Sequence, residues 1–210
     1  FGALSLTGQY FLSDIYRTGN FNIGYGRALL DRRFCPGLEL GVISFSYNSD
    51  NFRLNDVNDP VFRNGASKTT LDLGVSVLAN PIDPVFLGMS LKHLNQPNIS
   101  LIGDNVRMPT KFQAGITLRS AILDPSFDFE YYDGRSTINF AMERWFFDHK
   151  FLLRTNYYHF NLGGTVGFVV PVNKNYLRFE YEYRYPLSEI SDISNASHLF
   201  IIAFGFLKEA

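Results

Sequence analysis

The stretch Tyr176-Leu177-Arg178-Phe179-Glu180-Tyr181-Glu182-Tyr183-Arg184-Tyr185 decides how this chain is read. From Leu177 onward the odd positions carry Leu177, Phe179, Tyr181, Tyr183 and Tyr185. The even positions carry Arg178, Glu180, Glu182 and Arg184. A period of two puts all the charges on one face of a strand and all the apolar and aromatic groups on the other, whereas a helix would scatter both sets. Two environments accept such a strand. One is a soluble sheet with aromatics packed inward. The other is a membrane barrel with aromatics toward lipid and charges toward a polar lumen.

The same alternation recurs along the chain. Ala3–Phe11 sets Leu4, Leu6 and Tyr10 against Ser5, Thr7 and Gln9. Asn20–Leu29 sets Phe21, Ile23 and Tyr25 against Asn22, Gly24 and Gly26, after a polar turn at Tyr16–Asn20. Leu38–Tyr47 changes phase midway, from Leu38, Leu40 and Val42 to Ile43, Phe45 and Tyr47, which predicts a β-bulge. Asn48–Lys68 reads as the longest loop. Thr69–Leu78, Val85–Leu94, Phe112–Leu118 and Phe127–Tyr132 alternate cleanly. Asn80–Pro84 reads as a turn, Asn95–Pro109 as irregular, and Asp133-Gly134 as a tight hairpin. Thr137–Phe147 pairs with Phe151–His159, Leu162–Val170 is Gly-rich, and His198–Phe206 closes the series with Phe200, Ile202, Phe204 and Phe206 on one face.

These segments give an all-β chain, an antiparallel up-and-down transmembrane β-barrel with about 12 strands visible. The chain is read as a single domain over residues 1–210 lacking its N-terminal strands, so that the complete barrel would have up to 14. Three features favour lipid over water. A small soluble barrel closes with about eight strands. Aromatics gather at strand ends (Tyr10-Phe11, Trp145-Phe146-Phe147, Tyr157-Tyr158, Tyr183, Tyr185), as interfacial girdles do. The last strand has the alternating aromatic form expected of an outer-membrane assembly signal.

Composition agrees. The 210 residues include 21 Phe and 12 Tyr and carry a formal net charge of -1, so nothing points to nucleic acid as a partner. Charged residues are 19%, below the roughly 25% usual in soluble domains. The one cysteine, Cys35, can form no internal disulfide. No apolar run approaches the ~18 residues of a transmembrane helix. The chain begins at Phe1 without signal-peptide features, which reads as a mature chain or one missing its true N-terminus.

The polar parity supplies the candidate site residues. Arg178, Glu180, Glu182 and Arg184, with Asp72, Lys92, Glu143 and Arg154, are expected to face the lumen. They could line a substrate path, but neighbours of mixed sign compensate one another, and a structural network is the expected role. Phe52, Val57, Val61 and Phe62 in the long loop could dock a partner protein; the alternative is a plain surface loop. His93, His149, His159 and His198 show no metal-ligand spacing, and no nucleophile motif, phosphate loop or dinucleotide fingerprint is present. Gly24-Tyr25-Gly26 and Gly163-Gly164 read as strand glycines. The sequons at Asn98 and Asn195 read as chance matches. No catalytic residue, cofactor or metal is expected, and the chain is not expected to be an enzyme.

Leu71-Asp72-Leu73-Gly74, then Leu87–Ser100 with Lys92-His93-Leu94-Asn95-Gln96-Pro97-Asn98, then Met108-Pro109-Thr110-Lys111-Phe112 and Ala114-Gly115, resemble the FadL-like outer-membrane barrels associated with type IX secretion. The His-Leu-Asn-Gln-Pro segment is most similar to the PorP/SprF branch. Ile138–Trp145, Leu153-Arg154 and Ser197-His198 are similar to the PorV/PorQ branch as well. The resemblance covers about Asn20 to Phe206. It implies a bacterial outer-membrane barrel acting as shuttle, anchor or scaffold for a partner in secretion or gliding. Its partners would be outer-membrane lipid and other secretion-apparatus or secreted surface proteins. A FadL-like channel for hydrophobic small molecules and a soluble β-barrel binding protein are the alternatives.

Overall fold

The computed structural model of the chain describes residues 2–13, 16–47, 67–101, 105–173, 175–187 and 197–206. All regular structure among them is strand. In chain order the strands are β1 Ala3–Leu12, β2 Tyr16–Gly26, β3 Phe34–Tyr47, β4 Ser67–Ile82, β5 Val85–Lys92, β6 Lys111–Leu118, β7 Asp124–Tyr132, β8 Arg135–Phe146, β9 Phe151–Tyr158, β10 Asn161–Val172, β11 Asn175–Pro186 and β12 Ser197–Phe206. They form one 12-stranded sheet in the order β1 to β12. Every ladder whose register is described is antiparallel. This is the up-and-down meander of a barrel wall; no ladder between β1 and β12 is recorded among the described residues.

The chain divides into two compact units. One comprises Phe1–Pro81, Gly88–Ala114 and Glu130–Arg135; the other comprises Ile82–Leu87, Gly115–Phe129 and Ser136–Ala210. In the first, Leu4 is 76% exposed and Leu6 71%, while Asn22, Asp72 and Glu130 are buried. In the second, Phe200 is 74% exposed and Ile202 70%, while Thr165, Glu180 and Glu182 are buried to 4% or less. The only buried hydrophobic residues described are Ile43 and Leu152. A water-soluble sheet hides the opposite set, because each large apolar side chain left in water forgoes about 1.5–3 kcal/mol. In lipid that cost vanishes, and the arrangement found here becomes the stable one. The inverted burial therefore settles which of the two faces read from the sequence is covered.

Connection lengths follow the barrel rule. In a meander, alternate connections fall at the same end. Counted along the chain, the longest, 48–66, 93–110 and 187–196, alternate with short ones such as 83–84, 147–150 and 173–174. The hairpin at Asp133-Gly134 has both residues at positive φ, as a tight two-residue turn requires. The Asp83–Pro84 peptide in the β4–β5 turn is cis.

The structure corrects several local expectations. β3 has no bulge. Its ladder to β2 runs in unbroken register through Leu38–Tyr47 and that to β4 through Leu38–Ser46. The phase change is real in the sequence, yet the pleat continues, so Ile43, Phe45 and Tyr47 enter the polar face. There Tyr16 stacks on Phe45 at 6.4 Å and lies 5.5 Å from Tyr47. That aromatic cluster also makes Tyr16–Asn20 part of β2 instead of a turn. β4 likewise continues through Asn80 to Ile82, so only Asp83-Pro84 remains of the expected turn. The strand-end aromatics do not all face lipid. Cross-strand register puts Phe11 beside Thr18 and Trp145 beside Leu152, both on the polar face. Tyr158 is there too, with Arg184 over its ring.

Candidate functional site

In the second unit the polar faces of β8, β9 and β11 meet across β10. Arg154 on β9 stands opposite Thr165 of β10, and Glu180 on β11 stands opposite Gly167. Strands two apart are separated by about 9.5 Å, so a side chain must cross the intervening strand to reach its partner. Gly163, Thr165 and Gly167 keep that strand low on this face. Arg154 contacts Glu143 on one side at 2.6 Å and Glu180 on the other at 3.4 Å. A second crossing runs beside it: Asn156 donates to Glu182 at 2.9 Å. Arg184 donates to both Glu182 oxygens, at 2.6 and 3.2 Å. Arg178 completes the set, its Nε 2.9 Å from Glu180. Glu143 further accepts the indole N–H of Trp145.

Glycine is required at two of these positions. A Cβ on Gly163 would strike the Asn156 amide oxygen and come within 3.1 Å of Glu182. One on Gly167 would come within 3.1 Å of both Glu180 and Leu152. The Gly-rich stretch is thus a saddle over which the charges of β9 and β11 touch. Glu143, Glu180 and Glu182 balance Arg154, Arg178 and Arg184 with no net charge left over.

The first unit carries a second network. Asp72 on β4 accepts from His93, which follows β5, at 2.9 Å, and both side chains are buried. Lys92 pairs with Glu39 at 3.4 Å. Glu130 receives Lys111 at 2.9 Å and the Gln113 amide at 3.0 Å. The 93–110 connection carries no regular element, as expected over Asn95–Pro109, and its described residues are tied down by specific bonds. Asn95 places its side-chain amide where a further strand residue would sit, donating to Leu71 O at 2.8 Å and accepting from Leu73 N at 3.1 Å. Asn98 bridges Arg107, Ile99 N–H donates to Val106 O, and Met108 N–H donates to Pro97 O. Lys68 holds Ser100 O at 2.9 Å. The His-Leu-Asn-Gln-Pro segment is therefore a clamp that fastens this connection to the end of β4.

All eight charged residues singled out from alternation lie on the polar face. Arg154 joins Glu143 to the β11 ladder, while Lys92 and Asp72 belong to separate pairs in the other unit. Phe52, Val57, Val61 and Phe62 fall outside the described residues. His93, Asn95, Asn156, Gly163 and Gly167 were not singled out as working residues. The available signal was the run of small residues on the polar parity of β10 beside charged parities on β9 and β11. His198 faces the apolar side and meets the Tyr181 hydroxyl at 2.7 Å. Among the described residues no group of three His, Cys, Asp or Glu could hold a metal ion.

The polar face also opens into a cleft of about 450 Å³ in the second unit, lined by the β6–β7 connection, Glu143, Trp145 and His149. The aggregate is a wall of neutralised charges with one polar opening beside it. It offers fixed donors and acceptors for recognition and no assembled nucleophile and base among the residues described.

No curated protein and no solved structure matches the chain. The family described as type IX secretion system membrane protein PorP/SprF matches residues 15–204. That span contains both charge networks and the His93–Asn98 clamp, and it favours PorP/SprF over the PorV/PorQ branch. By fold, by inverted burial and by this match over nearly its whole length, the chain belongs to the PorP/SprF family of type IX secretion system membrane proteins.

Proposed function

We propose that this chain is a non-enzymatic outer-membrane barrel that anchors or scaffolds a partner protein of type IX secretion or gliding. The observation that carries the reading is the self-neutralised polar face. Each carboxylate of the β8–β11 network already has its cation, Glu143 and Glu180 through Arg154, Glu182 through Arg184. Such pairs rigidify a wall and leave little uncompensated field to select a solute. Recognition then falls to the connections at the strand ends, which a rigid barrel holds in place. Family membership supports a role in the secretion apparatus.

The FadL-like alternative, a channel for hydrophobic molecules, fits this wall less well. Most of its large apolar side chains lie on the exposed face, while the polar face presents Asn22, Asp72, Asn139, Thr165, Glu180 and Glu182 as buried groups beside Ile43, Leu152 and the Tyr16, Phe45 and Tyr47 cluster. The test is cross-linked capture of the full chain from membranes of a bacterium that has a type IX system, with identification of what is captured. Recovery of a secretion-apparatus or secreted surface protein, lost when the long connections are shortened, supports docking. Recovery of the barrel alone, together with uptake of a fatty acid into vesicles carrying it, would replace docking with transport.

A further inference from the structure

The cleft in the second unit lies where β6 hands over to β7 and β8 to β9, opposite the 159–160 turn and the 187–196 connection of the same unit. That is the short-turn end, the periplasmic one in outer-membrane barrels. Its volume, about 450 Å³, is within the range of ligand sites. Trp145 forms one wall. Its N–H is spent on Glu143, and His149 stands 5.8 Å from its ring. Asp124 and Glu143 supply carboxylates to it, and Asp148 lines the adjoining pocket of about 350 Å³, which shares Asp124, Glu143, Trp145 and His149 with it.

Arg119 lines this cleft and Arg144 the adjoining pocket, and each guanidinium lies over an aromatic ring. The Arg119 guanidinium lies 4.5 Å over the Phe86 ring, and that of Arg144 lies 5.0 Å over Phe146. Glu143 is satisfied by Arg154 and by Trp145. Asp124 accepts the Ser120 backbone N–H at 2.7 Å, which leaves its charge uncompensated. Neither Asp124 nor Asp148 has an ion-pair partner among the described residues. A cavity with an oriented indole wall and two spare carboxylates is complementary to a planar cation. The described carboxylates and histidine do not gather as a metal site.

We infer that this cleft binds an arginine side chain on an extended segment of a periplasmic polypeptide, with Trp145 stacking on the guanidinium and Asp124 and Asp148 receiving its N–H groups. The inference deepens the docking reading above and rests on it for the partner's being a polypeptide. Arginine fits better than lysine, because its flat group stacks on indole and forks onto carboxylates. The segment approaches from the periplasmic side, where the short turns leave the cleft open.

The protein supplies its own reporter, since Trp145 is the single tryptophan of the chain. The experiment titrates the full chain in detergent micelles with acetyl-Gly-Arg-Gly-amide and follows Trp145 fluorescence. The neutral acetyl-Gly-citrulline-Gly-amide and free methylguanidine serve as comparisons. The arginine peptide is expected to shift the emission saturably, more weakly as salt rises. The citrulline peptide should bind at least about tenfold more weakly, as should the Asp124→Asn/Asp148→Asn double variant toward the arginine peptide. Asn keeps the acceptor that Ser120 uses and tolerates the positive φ at position 148.

Equal binding of arginine and citrulline peptides, or no effect of the double variant, overturns the inference. Methylguanidine binding as tightly as the peptide assigns the cleft to small guanidines and overturns the polypeptide part. A failed titration beside successful capture of a partner defeats this site alone. A successful titration with no partner captured defeats the scaffold reading and leaves the arginine site standing.

Discussion

Gly163 and Gly164 are neighbours in β10, and the structure assigns opposite consequences to the same substitution. Gly163 is buried on the polar face between Asn156 and Arg184. A methyl group there would collide with the Asn156 amide and press on Glu182, breaking the 2.9 Å bond between them. Hydrogen bonds to charged groups are worth about 1.5–3 kcal/mol, and a buried carboxylate left short of a donor lies at the upper part of that range. Glu182 keeps Arg184, which restrains the loss. Gly163→Ala is therefore expected to cost about 2 kcal/mol. At Gly164 nothing lies within 4 Å of the added carbon, and the residue faces lipid. Gly164→Ala removes only backbone freedom from the unfolded chain, a gain of about 0.4–1 kcal/mol.

The predicted gap between the two variants is thus about 2.5–3 kcal/mol with a change of sign. Urea unfolding in detergent micelles reads it through the midpoint at constant slope, with retarded gel migration of the unheated folded barrel as a second probe. Comparing adjacent alanines cancels differences in strand propensity and synthesis. Equal midpoints, or a destabilised Gly164→Ala beside a neutral Gly163→Ala, would refute the assignment of faces and the crossing over β10 together.

Further predictions follow from the same wall. Arg154→Met leaves Glu143 with only the Trp145 N–H and Glu180 with only Arg178, and since Arg154 is about a quarter exposed the loss is set at about 2–3 kcal/mol, below the 3–5 of a fully buried pair, checked by the same unfolding assay. Val166→Arg on the lipid face is expected to cost about 2–4 kcal/mol, and the adjacent Thr165→Val, which removes a buried hydroxyl with no partner, less than about 1 kcal/mol; reversed costs would contradict the inverted burial. Asn95→Ala loses both bonds to β4 and Asn95→Asp loses the one donated to Leu71 O, so hydrogen exchange of Leu73 N–H should quicken strongly in the first and less in the second.

The fold was open to sequence reading because a barrel wall is written in a period of two, and that period survives in almost every strand. It failed where side chains obey the pleat but not the expected chemistry. In the sequence Ile43, Phe45 and Tyr47 change phase against Leu38, Leu40 and Val42, which predicts a bulge. The structure keeps the register and builds an aromatic cluster with Tyr16 on the polar face. Trp145, in an aromatic cluster at a strand end, reads as part of an interfacial girdle. Its indole N–H needs an acceptor, and Glu143 on the same strand and the same parity provides one. Parity was a better guide than hydrophobicity at each of these positions.

The site was legible only in its charges. Alternation identifies Arg178, Glu180, Glu182 and Arg184 as one face of one strand, yet it cannot say how adjacent strands slide past each other. The register of β9 on β10 and of β10 on β11 sets Arg154 diagonal to Glu180 and Asn156 diagonal to Glu182. A slip of one residue would turn the slipped strand's pair, Arg154 and Asn156 on β9 or Glu180 and Glu182 on β11, toward lipid. A slip of two would keep their face but misalign Arg154 with Glu180 and move the glycines out from under the crossings. Strand pairing with the wrong partner face would bury unpaired carboxylates, at several kcal/mol each in a medium of low dielectric. The charge network therefore does for register what a hydrophobic core does in a soluble sheet. It penalises every alignment but one, and it does so with groups that lipid cannot reach. That specification needs the two glycines as well as the charges, since a Cβ at Gly163 would collide with the Asn156 amide and one at Gly167 would crowd Glu180 and Leu152.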